Sequence, residues 1–266
     1  LDGHNPGATW DVAVNPADTD VVYATSLYDG RVDSIAGINT SSDAGLTWDH
    51  PATALPPAGL CNTDEAQTEP SAFGISIDPE HPEHVYIGTN CGLAVSDDSG
   101  STWGYRAPIS GHKATETIDV VAHHDGIVDA CGYYGHHRSE DYGATWTSDH
   151  NDLPGGNCSI AASPDDEDVL FIAVGTDIYE SDDGGVTWTK LGTPDQGRQG
   201  RITFITINDR AGDAFDLWFG DIRLYRGSCT SDPAAGPTQC PPAHLEDDPP
   251  DVPPPGWAGP FTRTVG

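Results

Sequence analysis

Methionine is absent from the 266 residues, and lysine occurs only at Lys113 and Lys190. No stretch approaches the roughly 18 consecutive apolar residues needed to cross a bilayer as a helix, so insertion into a membrane is not expected. No signal peptide is read in these residues, and a chain that begins at Leu1 rather than Met is expected to be a processed or trimmed product. Cysteine pairs at C-x-x-C spacing are missing, and the cysteines do not sit with histidines at zinc-finger offsets, so no structural metal site is expected. Basic charge is also scarce. Against 42 Asp and Glu there are 11 Lys and Arg, giving a formal charge of −31. Such a surface repels nucleic acid and anionic membranes, and it repels anionic polysaccharide unless arginines cluster locally.

What is abundant fits a turn-rich extracellular protein. Glycine (31) and proline (22) suit many tight turns between short strands. The six cysteines, an even number, point to disulfides and an oxidising compartment.

One octapeptide is written four times. It reads Ser41-Ser42-Asp43-Ala44-Gly45-Leu46-Thr47-Trp48, then Ser96 to Trp103, Ser139 to Trp146 and Ser181 to Trp188, always S-x-D-x-G-x-T-W. The aspartates Asp43, Asp98, Asp141 and Asp183 are 55, 43 and 42 residues apart. A period near 40 marks a repeat architecture. Serine and aspartate side chains can bond backbone N–H groups just downstream, and glycine supplies a positive φ, so each copy reads as a hairpin turn. The Thr-Trp pair starts a strand whose indole packs beneath the turn. These four aspartates are therefore expected to hold turns and to do no chemistry.

The pattern resembles the Asp-box (BNR) repeat of sialidases, xyloglucanase-type glycosidases and sortilin-type receptors. That resemblance implies an all-β fold, a β-propeller of four-stranded blades with an Asp box between the third and fourth strands of a blade. Five blades can be counted, at about 1–50, 70–106, 113–148, 156–191 and 200–228, the last without an Asp box. Residues 229–266 carry Pro249-Pro250 and Pro253-Pro254-Pro255 and read as a Pro-rich loop or tail, with Gly259 to Gly266 looking like the start of a further strand. Asp-box families generally close rings of six or more, so the chain looks like part of a larger ring; a self-closed five-bladed ring is the competing reading.

In such a propeller the loops joining strands two and three, and those joining blades, share the face opposite the Asp boxes. The connection Tyr28-Asp29-Gly30-Arg31-Val32-Asp33 puts two carboxylates and a guanidinium where other blades need only a tight turn. Glycosidases commonly use two carboxylates about 5–10 Å apart, so Asp29 or Asp33 pairing with Glu69 or Asp221 is the catalytic candidate. Arg31 and Arg223 are candidate ligand donors. So are His136 and His137, in a connection read as Cys131 to Arg138, as cationic and aromatic donors for a hydroxyl-rich or carboxylate ligand. The same blade positions suggest disulfides Cys61–Cys91, Cys131–Cys158 and Cys229–Cys240. Sialidase activity is not expected, because the Arg-Ile-Pro motif is missing and no arginine triad stands out. The expected function is that of a secreted, glycoside-hydrolase-like propeller acting on polysaccharide without a cofactor. The alternatives are a non-catalytic module binding glycan or protein, and a structural subunit of an extracellular assembly.

Overall fold

In a computed structural model, residues 9–26, 37–51, 71–106, 117–132, 135–147, 153–154, 158–163, 166–192, 204–209, 214–220 and 224–230 are described. They form five antiparallel sheets, one after another along the chain. The first holds β1 (Thr9–Val14), β2 (Val22–Ser26) and β3 (Gly37–Ser41). The second holds β4 (Ala72–Ile77), β5 (Val85–Thr89), β6 (Gly92–Ser96) and β7 (Gly104–Arg106). The third holds β8 (Thr117–Ala122), β9 (Val128–Gly132) and β10 (Gly135–Ser139). The fourth holds β11 (Cys158–Ala162), β12 (Leu170–Val174), β13 (Asp177–Ser181) and β14 (Thr189–Gly192), and the fifth β15 (Phe204–Asp209), β16 (Ala214–Gly220) and β17 (Leu224–Thr230).

Each sheet is a meander in which sequence neighbours pair. Among the described residues the first and third sheets show three strands, followed by single bridges Thr40–Asp49 and Arg138–Thr147. First strands of successive sheets lie against one another, β1 on β4, β4 on β8, β8 on β11 and β11 on β15. The second strands β2, β5, β9 and β12 are buried along their whole length. A strand covered on both faces needs residues without an exposed polar side, hence runs such as Val85-Tyr86-Ile87 and Leu170-Phe171-Ile172-Ala173-Val174.

Apolar clusters fill the seams between sheets. Ala13, Tyr23 and Ile38 of the first sheet meet Ile75, Ile77, Val85 and Ile87 of the second. Tyr86, Leu93 and Val95 meet Val120, Ala122, Val128 and Ala130, and Phe171, Ala173 and Ile178 meet Ile205, Ile207, Leu217 and Phe219. A cluster at the third seam includes Cys131, Cys158, Ile160 and Ile172. There a disulfide joins Cys131 to Cys158, with their Cα atoms 6.1 Å apart. Cys91 is also disulfide-bonded. Its expected partner Cys61 lies outside the described residues, as does Cys240; Cys229 falls in β17 with its side chain undescribed.

The octapeptides close the third strand of each of the first four sheets in one conformation. Serine Oγ donates to aspartate Oδ1 at 2.8–2.9 Å and accepts from the glycine N–H at 2.8–2.9 Å. The threonine amide donates to Oδ1 at 2.7–2.8 Å and its hydroxyl to Oδ2 at 2.6 Å. Tryptophan Nε1 donates to the glycine carbonyl at 2.9–3.1 Å. The residue before the glycine donates to the turn between strands one and two, as Ser99 N does to Glu83 O at 3.0 Å and Gly184 N to Asp168 O at 3.0 Å. Both kinds of turn therefore share one end of the strands.

Candidate functional site

Strand direction sorts the chain into two ends. One end carries the octapeptide turns; the other carries the connections from strand two to strand three and from sheet to sheet. Asp29, Arg31 and Asp33 fall between β2 and β3, Glu69 precedes β4, and Asp221 and Arg223 fall between β16 and β17, all in connections of the second kind. All six lie outside the described residues.

Next to these connections, at the starts of the first strands, are two carboxylates that motif reasoning passes over. Asp11 sits at a register shift in β1. Its Oδ1 accepts from Val12 N at 2.9 Å and its Oδ2 from Ile75 N in the next sheet at 3.0 Å. Asp119 holds the same place in β8, accepting from Val120 N at 3.0 Å, and from Ser159 Oγ at 2.7 Å and Ile160 N at 3.1 Å across the seam. Ser159 in turn accepts from Ile205 N at 3.2 Å. Gly74 stands at the corresponding position of β4, where a Cβ would overlap the Asp119 carboxylate. These carboxylates act as clamps between sheets. The hint in the sequence is an aspartate inside an apolar strand, Trp10-Asp11-Val12 and Ile118-Asp119-Val120.

The structure moves His136 and His137 out of the connection in which the sequence reading put them. The connection before them shrinks to two residues, and both histidines belong to β10 with exposures of 4% and 3%. His136 is held there by Asp129, fully buried in β9 and two residues from the register partner of His136. Its Oδ1 lies 2.7 Å from His136 Nε2, and its Oδ2 lies 2.8 Å from His123 Nε2 and 3.6 Å from Arg138 Nη1. Arg138 reaches on to Asp168 Oδ1 at 3.2 Å and to the Glu167 carbonyl at 3.3 Å. Burial alone raises the Asp129 carboxyl; hydrogen bonds and charge from His123 and His136 more than offset it and hold the group at about 2. The Asp129 carboxylate is thus fully buried among His123, His136 and Arg138 and ionised at neutral pH.

On the octapeptide end, three histidines pair with carboxylates across the second and third sheets. His84 Nδ1 lies 3.0 Å from Asp97, His81 Nδ1 3.5 Å from Glu83 and His124 Nδ1 3.4 Å from Glu80. Tyr142 packs on the His84 ring with centroids 4.8 Å apart. Among the described residues no group of three or more His, Cys, Asp or Glu is placed to hold a metal ion, and no helix is long and apolar enough to cross a membrane.

No protein-family model matches the chain, and no curated protein matches it. Solved structures do. An ancestral GH74 enzyme superposes with a TM-score of 0.67 at 16% identity, over 88% of this chain and 32% of that one. A GH74 enzyme from Niastella koreensis gives 0.60 at 15% identity, over 86% of this chain and 37% of that one. YCF48 bound to D1 peptide gives 0.57 at 16% identity, over 91% of this chain and 72% of that one. The chain thus spans about a third of the length of these GH74 enzymes. At such identities the likeness is one of fold: this chain is all-β, with the sheets of a β-propeller.

Proposed function

We propose that this chain is a secreted Asp-box propeller that acts on polysaccharide in the manner of a glycoside hydrolase. The observation that supports this reading is the division between the two ends. At the octapeptide end and in the seams, the four repeat aspartates, Asp11, Asp119 and Asp129 have carboxylate oxygens engaged in turn and cross-strand hydrogen bonds. The carboxylates Asp29, Asp33, Glu69 and Asp221 stand by chain position at the other end, and likeness to GH74 enzymes is consistent with a glycan there. One carboxyl would protonate the glycosidic oxygen as its bond breaks, while the other attacks the anomeric carbon or activates water. Arg31 and Arg223 would bond sugar hydroxyls. The disulfide between Cys131 and Cys158 accords with secretion.

The test is release of reducing ends from a panel of neutral and acidic polysaccharides. Asp33→Asn is expected to cut kcat by roughly 10²–10⁴-fold, the usual worth of an acid or base group, with the fold unchanged by circular dichroism. Absence of release across the panel sinks the enzymatic reading. A second reading, a non-catalytic module for a peptide or glycan, is favoured by YCF48, which matches over more of its own length than the GH74 enzymes do and was solved with a peptide bound. It predicts saturable binding without turnover.

A further inference from the structure

The third seam differs from its neighbours in a way that goes beyond holding two sheets together. Register pairs place Tyr23, Tyr86, Asp129 and Phe171 at one equivalent position of the second strands, and Thr40, Val95, Arg138 and Glu180 opposite them on the third strands. At the first two seams the next sheet's turn glycine rests on this pair. A Cβ on Gly100 would lie 2.6 Å from Tyr23 and 3.3 Å from Thr40; on Gly143 it would lie 3.6 Å from Tyr86 and 3.9 Å from Val95. At the third seam the aromatic is replaced by Asp129, which draws His136 beneath Gly185, where a Cβ would overlap the imidazole.

The fourth turn is altered to match. Ala44, Ser99 and Tyr142 occupy the position before the turn glycine with φ of 57°, 55° and 57°, so three of the four turns hold this left-handed conformation without glycine. Only the fourth has glycine, Gly184, at φ 66°. A Cβ there would stand 2.7 Å from Arg138 Nη1 and 2.9 Å from Asp168 Oδ1. Arg138 has little room to yield, being 11% exposed and tied to Asp129, Asp168 and the Glu167 carbonyl. We propose that His123, Asp129, His136 and Arg138 form a key, and Gly184, Gly185 and Asp168 its lock, so that only the fourth blade seats on the third and the order of otherwise similar blades is fixed. A single buried polar residue fixes register between coiled-coil helices in a comparable way.

A double-mutant cycle on the full chain tests the match. Gly184→Ala is expected to lower the melting midpoint by about 2–10 °C through overpacking. In an Arg138→Val background, Val being the residue of the second blade, the same change should cost at least about 3 °C less. The intrinsic cost of a left-handed alanine is common to both backgrounds and cancels. An equal loss in both would show that Gly184 answers to φ alone and overturn the lock. For the ordering role, the reduced and denatured chain is reoxidised and its disulfides mapped; six cysteines allow 15 full pairings. With Asp129→Tyr, His136→Leu and Arg138→Val together, the fraction carrying Cys131–Cys158 should fall at least about twofold relative to the unaltered chain. An unchanged fraction overturns the key.

Discussion

Asp129 shows how one residue sets the character of a seam. A carboxylate in the slot that Tyr23, Tyr86 and Phe171 fill elsewhere costs desolvation that only several partners offset, and His123, His136 and Arg138 are those partners. Replacing it with asparagine keeps the shape but leaves Arg138 without its buried counter-charge. Asp129→Asn is expected to destabilise by about 3 kcal/mol, read from denaturant unfolding at pH 7. Since the folded value of about 2 lies below the ordinary carboxylate value, the stabilisation is fully present above the unfolded value near about 4 and disappears as pH falls from there through the folded value. Stability of the unaltered chain should therefore fall more steeply than that of Asp129→Asn between about pH 4 and 2. Parallel profiles there would mean that Asp129 is not the group that titrates.

At the scale of the element, the repeated turn is a self-contained unit. Partial burial raises the Asp98 carboxyl, but the Thr102 hydroxyl and amide, with Ser96, bring it below its ordinary value. Asp98→Ala removes all of these acceptor contacts and should cost about 1–2 kcal/mol, whereas Asp97→Ala at the 63%-exposed neighbour should cost under about 0.5. Similar losses for the two would contradict the hydrogen-bond account of the turn. The Cys131–Cys158 bridge closes a separation of 27 residues, and its selective removal as a Ser pair should lower stability by about 3.5 kcal/mol on the chain-entropy estimate.

These elements also show why some features were legible in the sequence and others were not. The turn could be read because its residues bond within eight positions, and strands such as Val169 to Val174 could be read because burial on both faces leaves a continuous apolar run. His136 and His137 could not. The placement of His136 is tied to Asp129 and to a glycine 49 residues downstream, and a Gly-His-His-Arg string beside two tyrosines has the composition of a loop. Asp11 and Asp119 were passed over because an acceptor for a neighbouring sheet's amide leaves no spacing signal. The candidate site itself was legible only as a cluster of charges in connections whose strand ends the fold sets.

The whole molecule divides its labour between its two ends. One end and the seams carry structure, and the opposite connections are the ones proposed to carry recognition. Substitutions far apart on the two ends should behave independently, so function can be separated from fold. The most direct measurement is glycan-array binding by four purified chains compared side by side: the unaltered protein, Asp33→Asn with Arg31→Ala, His84→Ala with Asp97→Ala, and Leu46→Ser. The unaltered chain is expected to retain at least one polysaccharide, the Arg31 and Asp33 pair of substitutions to weaken that binding at least about tenfold, a change of about 1.4 kcal/mol, and the two octapeptide-end variants to bind as the parent does. Loss confined to the octapeptide-end variants, or no retained glycan on any chain, would contradict this division.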